Sequence, residues 1–316
     1  VQGATEVNKT YDGTSILPEN SLGYVALVGI LEGDDVSLVG RPAYDSSQAG
    51  TRALVQGTLA LTGARAGNYL LDWQDGSGTI AKKNLFVVVR DDAKFVTMAD
   101  EAGYKGVLFQ GFVPGDDATD LTGTLTIERS NLSVELADTY PGVLLASGYA
   151  SNNYSFTYLP GDYTIVPADH LLLEIETTPT VYAQAPSYEV SASYFSSDMS
   201  SVIYLDPAVF DADLDRYVVD DGFGGSAVFN ITAVVITLDT GRTARPVSRT
   251  DNIITGTYDL EVTNLEIVSN NFEQEVVAIG NITVLPKLVT VSMNTPTKPY
   301  DGSRVLADAE VLLTGT

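Results

Sequence analysis

Short runs of alternating apolar and polar residues dominate the sequence. The runs at 121–127, 227–232 and 258–262 place an apolar side chain at every second position. Successive side chains of a β-strand point to opposite faces, so this period of two is typical of strands with one buried and one solvated face. The pattern predicts an all-β, mainly antiparallel protein with little helix, built from small β-sandwich-like or β-grasp-like modules in tandem.

One segment favours a short helix instead. Between Asp206 and Tyr217, apolar residues at 209, 210, 214 and 217 fall on one side of a helix. Asp206 suits the cap and Pro207 suits the first turn. The pattern therefore predicts one short helix here, and a grasp-type sheet carrying that helix is an alternative fold for this part of the chain.

The clearest internal repeat lies near the two ends of the sequence. The segment NKTYDGTS at 8–15 returns as TKPYDGS at 297–303, so that Tyr11 and Tyr300 stand 289 positions apart. Repeated segments at a long, fixed offset indicate a repeated structural unit. We therefore expect the last residues to begin a second copy of the unit that opens the chain.

Two shorter motifs recur inside this period. Gly33-Asp34-Asp35 returns 82 positions later as Gly115-Asp116-Asp117. An asparagine followed by an aromatic residue precedes an alternating strand three times, at Asn68-Tyr69, Asn153-Tyr154 and Asn271-Phe272. These motifs predict modules at 1–83, 84–168 and 169–287, and a truncated module at 288–316. Because only a few residues separate the strands on either side of each limit, we expect a fairly stiff, elongated rod.

The charge excludes several classes of partner. The sequence holds 17 Lys and Arg against 41 Asp and Glu, for a formal net charge of −24. Such a field repels phosphate backbones and anionic membrane surfaces, so nucleic acid is not an expected partner. No run of about 18 apolar residues is present, so we expect no membrane insertion in this segment and any export signal to lie outside it.

Catalytic chemistry has few candidate residues. The sequence contains no cysteine and a single histidine, His170. Thiolate sites are therefore excluded, a typical zinc site lacks its ligands, and no oriented general base can be identified. Adjacent acids on a turn point in different directions, unlike the facing carboxylates of a glycosidase. We predict that the chain is not an enzyme and has no catalytic or cofactor-binding residues.

Paired aspartates leave calcium as a possible cofactor. Calcium takes several oxygen ligands, which carboxylates at turns can supply. Aspartate is also an ordinary turn residue, because its carboxylate accepts hydrogen bonds from nearby backbone amides. We favour turn chemistry and keep calcium as the weaker alternative. The calcium candidates are Asp34, Asp35, Asp116, Asp117, Asp220 and Asp221, and Asp91 with Asp92 forms a further pair at an apparent turn.

The first span of the sequence resembles a YDG module. The resemblance is carried by KTYDGT at 9–14, GDDVSL at 33–38 and GARAGNYL at 63–70. The span at 85–167 resembles an MBG module through GFVPGD at 111–116, LTGT at 121–124 and its closing strand after Asn153-Tyr154. The span at 169–287 is similar to the MBG type but longer, with YAQAP at 182–186 in place of the usual Tyr-Gly-Asp-x-x-Pro opening.

Modules of these types occur in tandem in large secreted bacterial adhesins of the filamentous-haemagglutinin type and in biofilm or mucus-binding surface proteins. The resemblance implies an extracellular or cell-surface stalk segment that serves cell–cell, matrix or host-surface attachment. Two alternatives remain: a protomer of a self-assembling filament joined by strand addition, and a carbohydrate- or mucin-binding module. The expected partners are neighbouring modules, other copies of the chain, and glycans or matrix polysaccharide.

Overall fold

The computed structural model describes residues 5–17, 25–74, 76–196, 198–235, 247–272, 275–293 and 311–315. The repeat around Tyr300 lies outside these residues. Contacts divide the chain into two compact units. Unit 1 comprises Val1–Val89, Phe109–Ser130 and Leu144–Pro160, and unit 2 comprises Arg90–Leu108, Asn131–Val143 and Gly161–Thr316.

The described residues form an all-β, mainly antiparallel protein, as the alternating pattern predicts. Helical structure in these residues is limited to two short 3₁₀ turns, Ala66–Asn68 and Ala118–Asp120. No helix in the described ranges is long and apolar enough to cross a bilayer. The strands before residue 170 are β1 (Thr5–Thr10), β2 (Ser37–Val39), β3 (Ala43–Tyr44), β4 (Gly50–Val55), β5 (Ala60–Thr62), β6 (Gly76–Ala81), β7 (Lys83–Val89), β8 (Asp92–Phe95), β9 (Val107–Gln110), β10 (Thr122–Arg129), β11 (Asp138–Ala150), β12 (Tyr154–Leu159) and β13 (Gly161–Val166).

The remaining strands continue without an α-helix between them in the described residues. They are β14 (Leu171–Thr177), β15 (Thr180–Val181), β16 (Tyr188–Phe195), β17 (Val202–Tyr204), β18 (Val209–Asp211), β19 (Arg216–Asp220), β20 (Ser226–Val235), β21 (Gly256–Val268), β22 (Val276–Leu285), β23 (Val289–Met293) and β24 (Val311–Gly315).

A four-stranded sheet with the order β1-β6-β4-β3 organises unit 1. β1 runs parallel to β6, with Thr10 opposite Ala81, and β4 pairs antiparallel with both β6 and β3. β6 passes so close to its neighbours that a Cβ at Gly78 would lie 2.2 Å from the carbonyl oxygen of Val7, which explains the glycine in this strand. The core of unit 1 contains the buried residues Val7, Tyr11, Leu17, Tyr44, Leu54, Ile80, Leu85, Val113 and Tyr154.

Parallel pairs between an early and a late strand recur along the chain. β7 pairs with β12, β8 with β13 and β14 with β22, all parallel. One backbone hydrogen bond also recurs at the ends of such pairs: the amides of Tyr11, Val96 and Tyr182 donate to the carbonyls of Ala81, Val166 and Leu285 at 2.8, 2.9 and 2.8 Å. The period of two is the same for strands of either direction, so the sequence pattern did not predict these parallel ladders.

The largest sheet lies in unit 2 and has the order β17-β16-β14-β22-β21-β20-β19-β18, with β15 beside β22. Its end strands β17 and β18 are consecutive in the chain. Leu205 and Ala208, which connect them, donate backbone hydrogen bonds of 2.9 Å to β16. The sheet therefore curves around one core, whose members include Leu171, Leu173, Ile175, Val190, Val219, Phe229, Leu260, Ile282 and Val284.

The helix expected at 206–217 is absent, and this prediction is wrong. The segment forms β18 and β19, which pair antiparallel with Asp211 opposite Arg216. Asp211 Oδ1 accepts hydrogen bonds from the amides of Asp213 and Leu214, and Asp215 adopts a φ of +53°. These features make a tight turn, because aspartate captures backbone amides and tolerates the left-handed region. The apolar spacing fits two short strands as well as it fits a helix.

Strand pairing can be compared with the predicted modules. Each ladder described above joins strands from one predicted span, apart from Lys83 at the start of β7, and β23 pairs antiparallel with β24. The compact units group the residues of 84–168 differently and assign part of that span to each unit. The limits at 83, 168 and 287 stay predictions.

Candidate functional site

The turn after β1 holds Tyr11 against a distant part of unit 1. The Tyr11 hydroxyl donates a hydrogen bond of 2.9 Å to Asp116 Oδ2. Gly13 follows with a φ of +80°, and a Cβ there would lie 3.4 Å from Val113 Cγ2. Glycine adopts this backbone conformation without strain and lets the turn lie against Val113. The turn and the 113–116 segment are therefore in direct contact.

The Lys9 side chain stabilises this turn through hydrogen bonds to three of its residues. Its Nζ atom donates to Asp12 Oδ1 at 2.7 Å, to the Thr14 carbonyl at 2.6 Å and to the Ile16 carbonyl at 2.9 Å. Burial would raise the pKa of Asp12, but the hydrogen bonds from Lys9 and Thr14 outweigh that effect and lower it. The Lys-Thr-Tyr-Asp-Gly-Thr motif thus supplies the groups that shape the turn and the tyrosine that it presents.

Asp116 accepts hydrogen bonds from two tyrosine hydroxyls. Its Oδ2 atom accepts from Tyr154 at 2.8 Å as well as from Tyr11, and the two rings meet edge to face with centroids 5.4 Å apart. The amide of Val113 donates to the Tyr154 hydroxyl at 3.0 Å. Burial, and then the hydrogen bond to Asp116, raises the pKa of Tyr11 to about 12. The phenol therefore stays protonated near neutral pH, and it acts as a hydrogen-bond donor.

The same arrangement occurs a second time in unit 1. The Tyr69 hydroxyl donates to Asp34 Oδ2 at 2.6 Å and accepts from the amide of Leu31 at 3.2 Å. The amide of Asp34 donates to the Leu31 carbonyl at 3.1 Å, and the amide of Asp116 donates to the Val113 carbonyl at the same distance. We call Leu31, Asp34 and Tyr69 the first clamp.

Val113, Asp116 and Tyr154 form the second clamp. The two clamps explain the repeated sequence motifs, because the first aspartate of each Gly-Asp-Asp turn accepts a hydrogen bond from the tyrosine of an Asn-Tyr pair. Residues 1–85 match the YDG domain. The YDG resemblance of the first span is thereby confirmed. No match was found among curated proteins or among solved structures.

The YDG domain thus contains the first clamp and the Tyr11 turn. The MBG resemblance of the later spans and the adhesin context are not tested by this match. The third aromatic motif differs in chemistry: Phe272 has no hydroxyl, and its ring packs 5.6 Å from that of Tyr194. Asp221 instead accepts from Ser269 Oγ at 2.6 Å and from Asn271 Nδ2 at 3.0 Å.

The second aspartate of the first two pairs accepts a hydrogen bond from a backbone amide. Asp35 Oδ2 accepts from the amide of Ala64 at 3.1 Å. Asp117 Oδ1 accepts from the amide of Thr119 at 2.7 Å and caps the 3₁₀ turn at 118–120, where Asp120 completes a capping box. Asp220 accepts from the amide of Gly222 at 2.7 Å. Of the six calcium candidates, Asp34 and Asp116 thus accept hydrogen bonds from tyrosines. The other four accept from backbone amides, which lie two residues further along the chain for Asp117, Asp220 and Asp221 and 29 residues away for Asp35.

Among the described residues, no group of three or more histidine, aspartate or glutamate side chains is arranged to hold a metal ion. Calcium binding stays a prediction, which calorimetry on the purified chain can test. The hydrogen bond from Ser269, with those from the amides of Phe223 and Gly225, lowers the pKa of the Asp221 carboxyl.

Unit 2 contains a buried carboxylate cluster that no sequence motif indicates. Asn281 donates through Nδ2 to Asp91 Oδ2 at 3.1 Å and to Asp259 Oδ1 at 2.8 Å, and its Oδ1 accepts from the amide of Asp91 at 2.9 Å. Asp91 Oδ1 also accepts from the amide of Asp162 at 2.8 Å. The pair Asp91-Asp92 was visible in the sequence, but no pattern connects it to an asparagine 190 positions away.

Burial dominates the electrostatics of this cluster. It raises the pKa of Asp91 to about 8, and repulsion from Asp259 adds to the shift. Burial, followed by the charge of Asp162, raises the pKa of Asp259 to about 6. Low dielectric and a neighbouring like charge both disfavour the ionised carboxylate. The cluster therefore holds a proton at pH values where exposed aspartates have lost theirs.

His170 and Trp73 each make contacts within their own unit. His170 Nε2 lies 2.8 Å from Glu275 Oε2, and its Nδ1 atom lies 3.3 Å from the carbonyl of Ala168. Trp73 Nε1 donates to the Leu54 carbonyl at 2.9 Å, and its ring packs against the core of unit 1. The segment at 222–225 forms the turn between β19 and β20, as its glycines predict.

Proposed function

We propose that this chain is a load-bearing stalk segment of a secreted repetitive adhesin, with a structural and non-catalytic role. The observation that carries the proposal is the parallel pairing of early and late strands, seen for β1 with β6 and for β14 with β22. In a parallel pair the two strands start at one end and finish at the other. The chain therefore enters such a pair at one end and leaves it at the opposite end.

This geometry determines how tension acts on the sheet. Interstrand hydrogen bonds lie across the strands. A pull applied to the start of β1 and the end of β6 slides the two strands along each other and loads their hydrogen bonds together. A pull on the two neighbouring ends, Thr10 and Ala81, would break the bonds one after another. Separating the strands by shear therefore needs a larger force than peeling them apart. A parallel pair loaded in shear suits a segment under tension.

Short connections support the same role. Only Lys82 lies between β6 and β7, and Lys82 Nζ donates to the Ser151 carbonyl at 2.6 Å. Tyr11 and the second clamp add a side-chain contact between the YDG domain and residues 109–160 within unit 1. The net charge of −24 favours solubility of a long exposed molecule.

Single-molecule pulling tests the mechanical part of the proposal. The chain contains no cysteine, so two engineered cysteines give unique handles. One version carries a cysteine added before Val1 and Ala81→Cys, which shears β1 against β6. The other carries Thr10→Cys and Ala81→Cys, which peels them apart. We expect the shear version to resist a clearly higher force, and equal forces would reject the load-bearing role.

Antibodies against this segment test its location. Intact cells that produce the native protein should be labelled without permeabilisation, whereas labelling only after permeabilisation would contradict an extracellular stalk. The filament joined by strand addition and the carbohydrate- or mucin-binding module remain alternative proposals. A glycan array with the purified chain addresses the second of these.

A further inference from the structure

The second clamp is a filled binding site. Val113 is 4% exposed and Tyr154 is 1% exposed, and Tyr11 and its turn pack against both residues. The Tyr11 hydroxyl occupies one hydrogen-bonding position on Asp116 Oδ2, and its ring occupies the space beside Tyr154. Unit 1 thus shows what this type of clamp binds: the tyrosine of a lysine-braced Tyr-Asp-Gly turn.

The first clamp has the same three hydrogen bonds but is uncovered in the described structure. Leu31, which corresponds to Val113, is 71% exposed, and Leu70 beside Tyr69 is 98% exposed. A groove of about 300 Å³ adjoins Tyr69, and its apolar lining includes Val28 and Ile30. Among the described residues, Asp34 Oδ2 accepts one phenol, whereas Asp116 Oδ2 accepts two.

We propose that the first clamp is a docking site for the Tyr300-Asp301-Gly302 segment of a second copy of this chain. This segment repeats the groups that act in the filled site. Lys298 stands two residues before Tyr300 as Lys9 stands before Tyr11, and Ser303 provides a hydroxyl where Thr14 does. The Tyr11 turn cannot serve as the occupant, because Asp116 of its own chain already holds it.

The contact would join unlike surfaces of two copies. The Tyr300-Asp301-Gly302 segment of one copy would meet the first clamp of another, so each copy can give one contact and receive another. Such a head-to-tail contact produces open chains when its rotation does not close into a ring. Burial of Leu31 and Leu70 would drive the association, and the hydrogen bond to Asp34 would orient the tyrosine. The proposal adds a partner to the stalk role and does not depend on its mechanical properties.

Sedimentation velocity on the full chain, from low to high micromolar concentration, tests this contact. The acceptor variant is Leu70→Asp, the donor variant is Tyr300→Ala, and the control is Leu214→Asp, which places the same change at an exposed leucine in unit 2. We expect the wild-type chain and the control to form growing species as concentration rises. Each of the other two variants alone should stay monomeric.

Mixing supplies the decisive measurement. The acceptor variant keeps an unchanged Tyr300 segment, and the donor variant keeps an unchanged first clamp, so an equimolar mixture should form dimers and nothing larger. A second acceptor variant, Asp34→Ala, should behave like Leu70→Asp in sedimentation, and every variant should be folded at the temperature of the measurement. A monomeric wild type, variants that assemble like the wild type, or a mixture that stays monomeric would each overturn the proposal. The pulling experiment on β1 and β6 would be unaffected by any of these results.

Discussion

Tyr11 and Asp116 stand 105 positions apart and are joined by a hydrogen bond of 2.9 Å between the phenol and Oδ2. Each residue belongs to a motif that repeats in the sequence, and the structure brings the two motifs together in unit 1. The contact is buried, with Tyr11 5% exposed. It therefore ties the turn after β1 to residues of the following span, and it is open to direct tests.

Tyr11→Phe should destabilise the chain. The change removes the hydroxyl but keeps the ring, so the loss reports the hydrogen bond to Asp116. Hydrogen bonds to charged groups contribute more than neutral ones, and we expect a loss of about 1–2 kcal/mol in the free energy of unfolding. Urea unfolding measures it. The control is Tyr204→Phe, at a tyrosine that is 80% exposed. An equal midpoint for Tyr11→Phe and the wild type would show that the bond contributes nothing.

Asp116→Ala should cost more than Asp34→Ala. The first change leaves two buried phenols without their acceptor, and we expect a loss of about 2–4 kcal/mol. The second affects one phenol at an exposed clamp, where water can replace the carboxylate. A double-mutant cycle of Tyr11→Phe with Asp116→Ala should show coupling of about 1 kcal/mol or more. Additive losses would mean that the two residues act independently.

Asp91→Asn should change how stability depends on pH. The folded pKa of Asp91, about 8, lies above its ordinary value of 3.8, so the folded chain keeps a proton that the unfolded chain releases. Stability therefore falls as pH rises between these two values. The asparagine cannot ionise, so we expect the variant to gain about 1 kcal/mol or more at pH 9 relative to pH 5, or roughly 2–4 °C in Tm.

Thermal unfolding between pH 5 and 9 checks this expectation. The control is Asp213→Asn, a change at an exposed aspartate in the turn between β18 and β19. Wild type and Asp91→Asn should lie closest together at pH 5. Parallel curves for the two proteins across the range would contradict the assignment of a buried, protonated carboxyl.

Asp221→Ala should open the turn between β19 and β20. The Asp221 carboxylate accepts from the amides of Phe223 and Gly225 at 2.8 and 2.7 Å. Without it, we expect hydrogen exchange at these two amides to rise at least about tenfold, because each becomes free to open locally. Asp220→Ala is the matched control, since Asp220 accepts only from the amide of Gly222 among the described contacts. Equal exchange in both variants would refute the special role of Asp221.

The sequence predicts the class of fold because strand periodicity is local. The alternation at 121–127 and 258–262 falls in β10 and β21. Strand direction is a different matter, because a strand facing the core has the same pattern whether its neighbour is parallel or antiparallel. The segment at 206–217 fails for a related reason: its apolar spacing fits two strands once Asp211 and Asp215 form a turn.

The candidate site was only partly predictable. Repetition marked Tyr11, Asp34, Tyr69, Asp116 and Tyr154, but it did not indicate that the aspartates bind the tyrosines. Local turn chemistry was predictable at Asp117, whose carboxylate contacts the amide of Thr119, but not at Asp35, which accepts from the amide of Ala64 29 positions away. The pairing of Asp91 with Asn281 depends on how strands from distant parts of the chain are placed together. No sequence motif encodes that placement.

The position of β1 at the margin of its sheet has a consequence for the order of assembly. Among the described residues, β6 is its one partner in that sheet, and Ser77, which pairs with Thr5, is synthesised 72 residues later. At a synthesis rate of about 5–20 residues per second, β1 is present for roughly 4–14 s before β6 has been synthesised. In each nascent copy β1 therefore stays unpaired with β6 until the closing strand of the same domain has been synthesised.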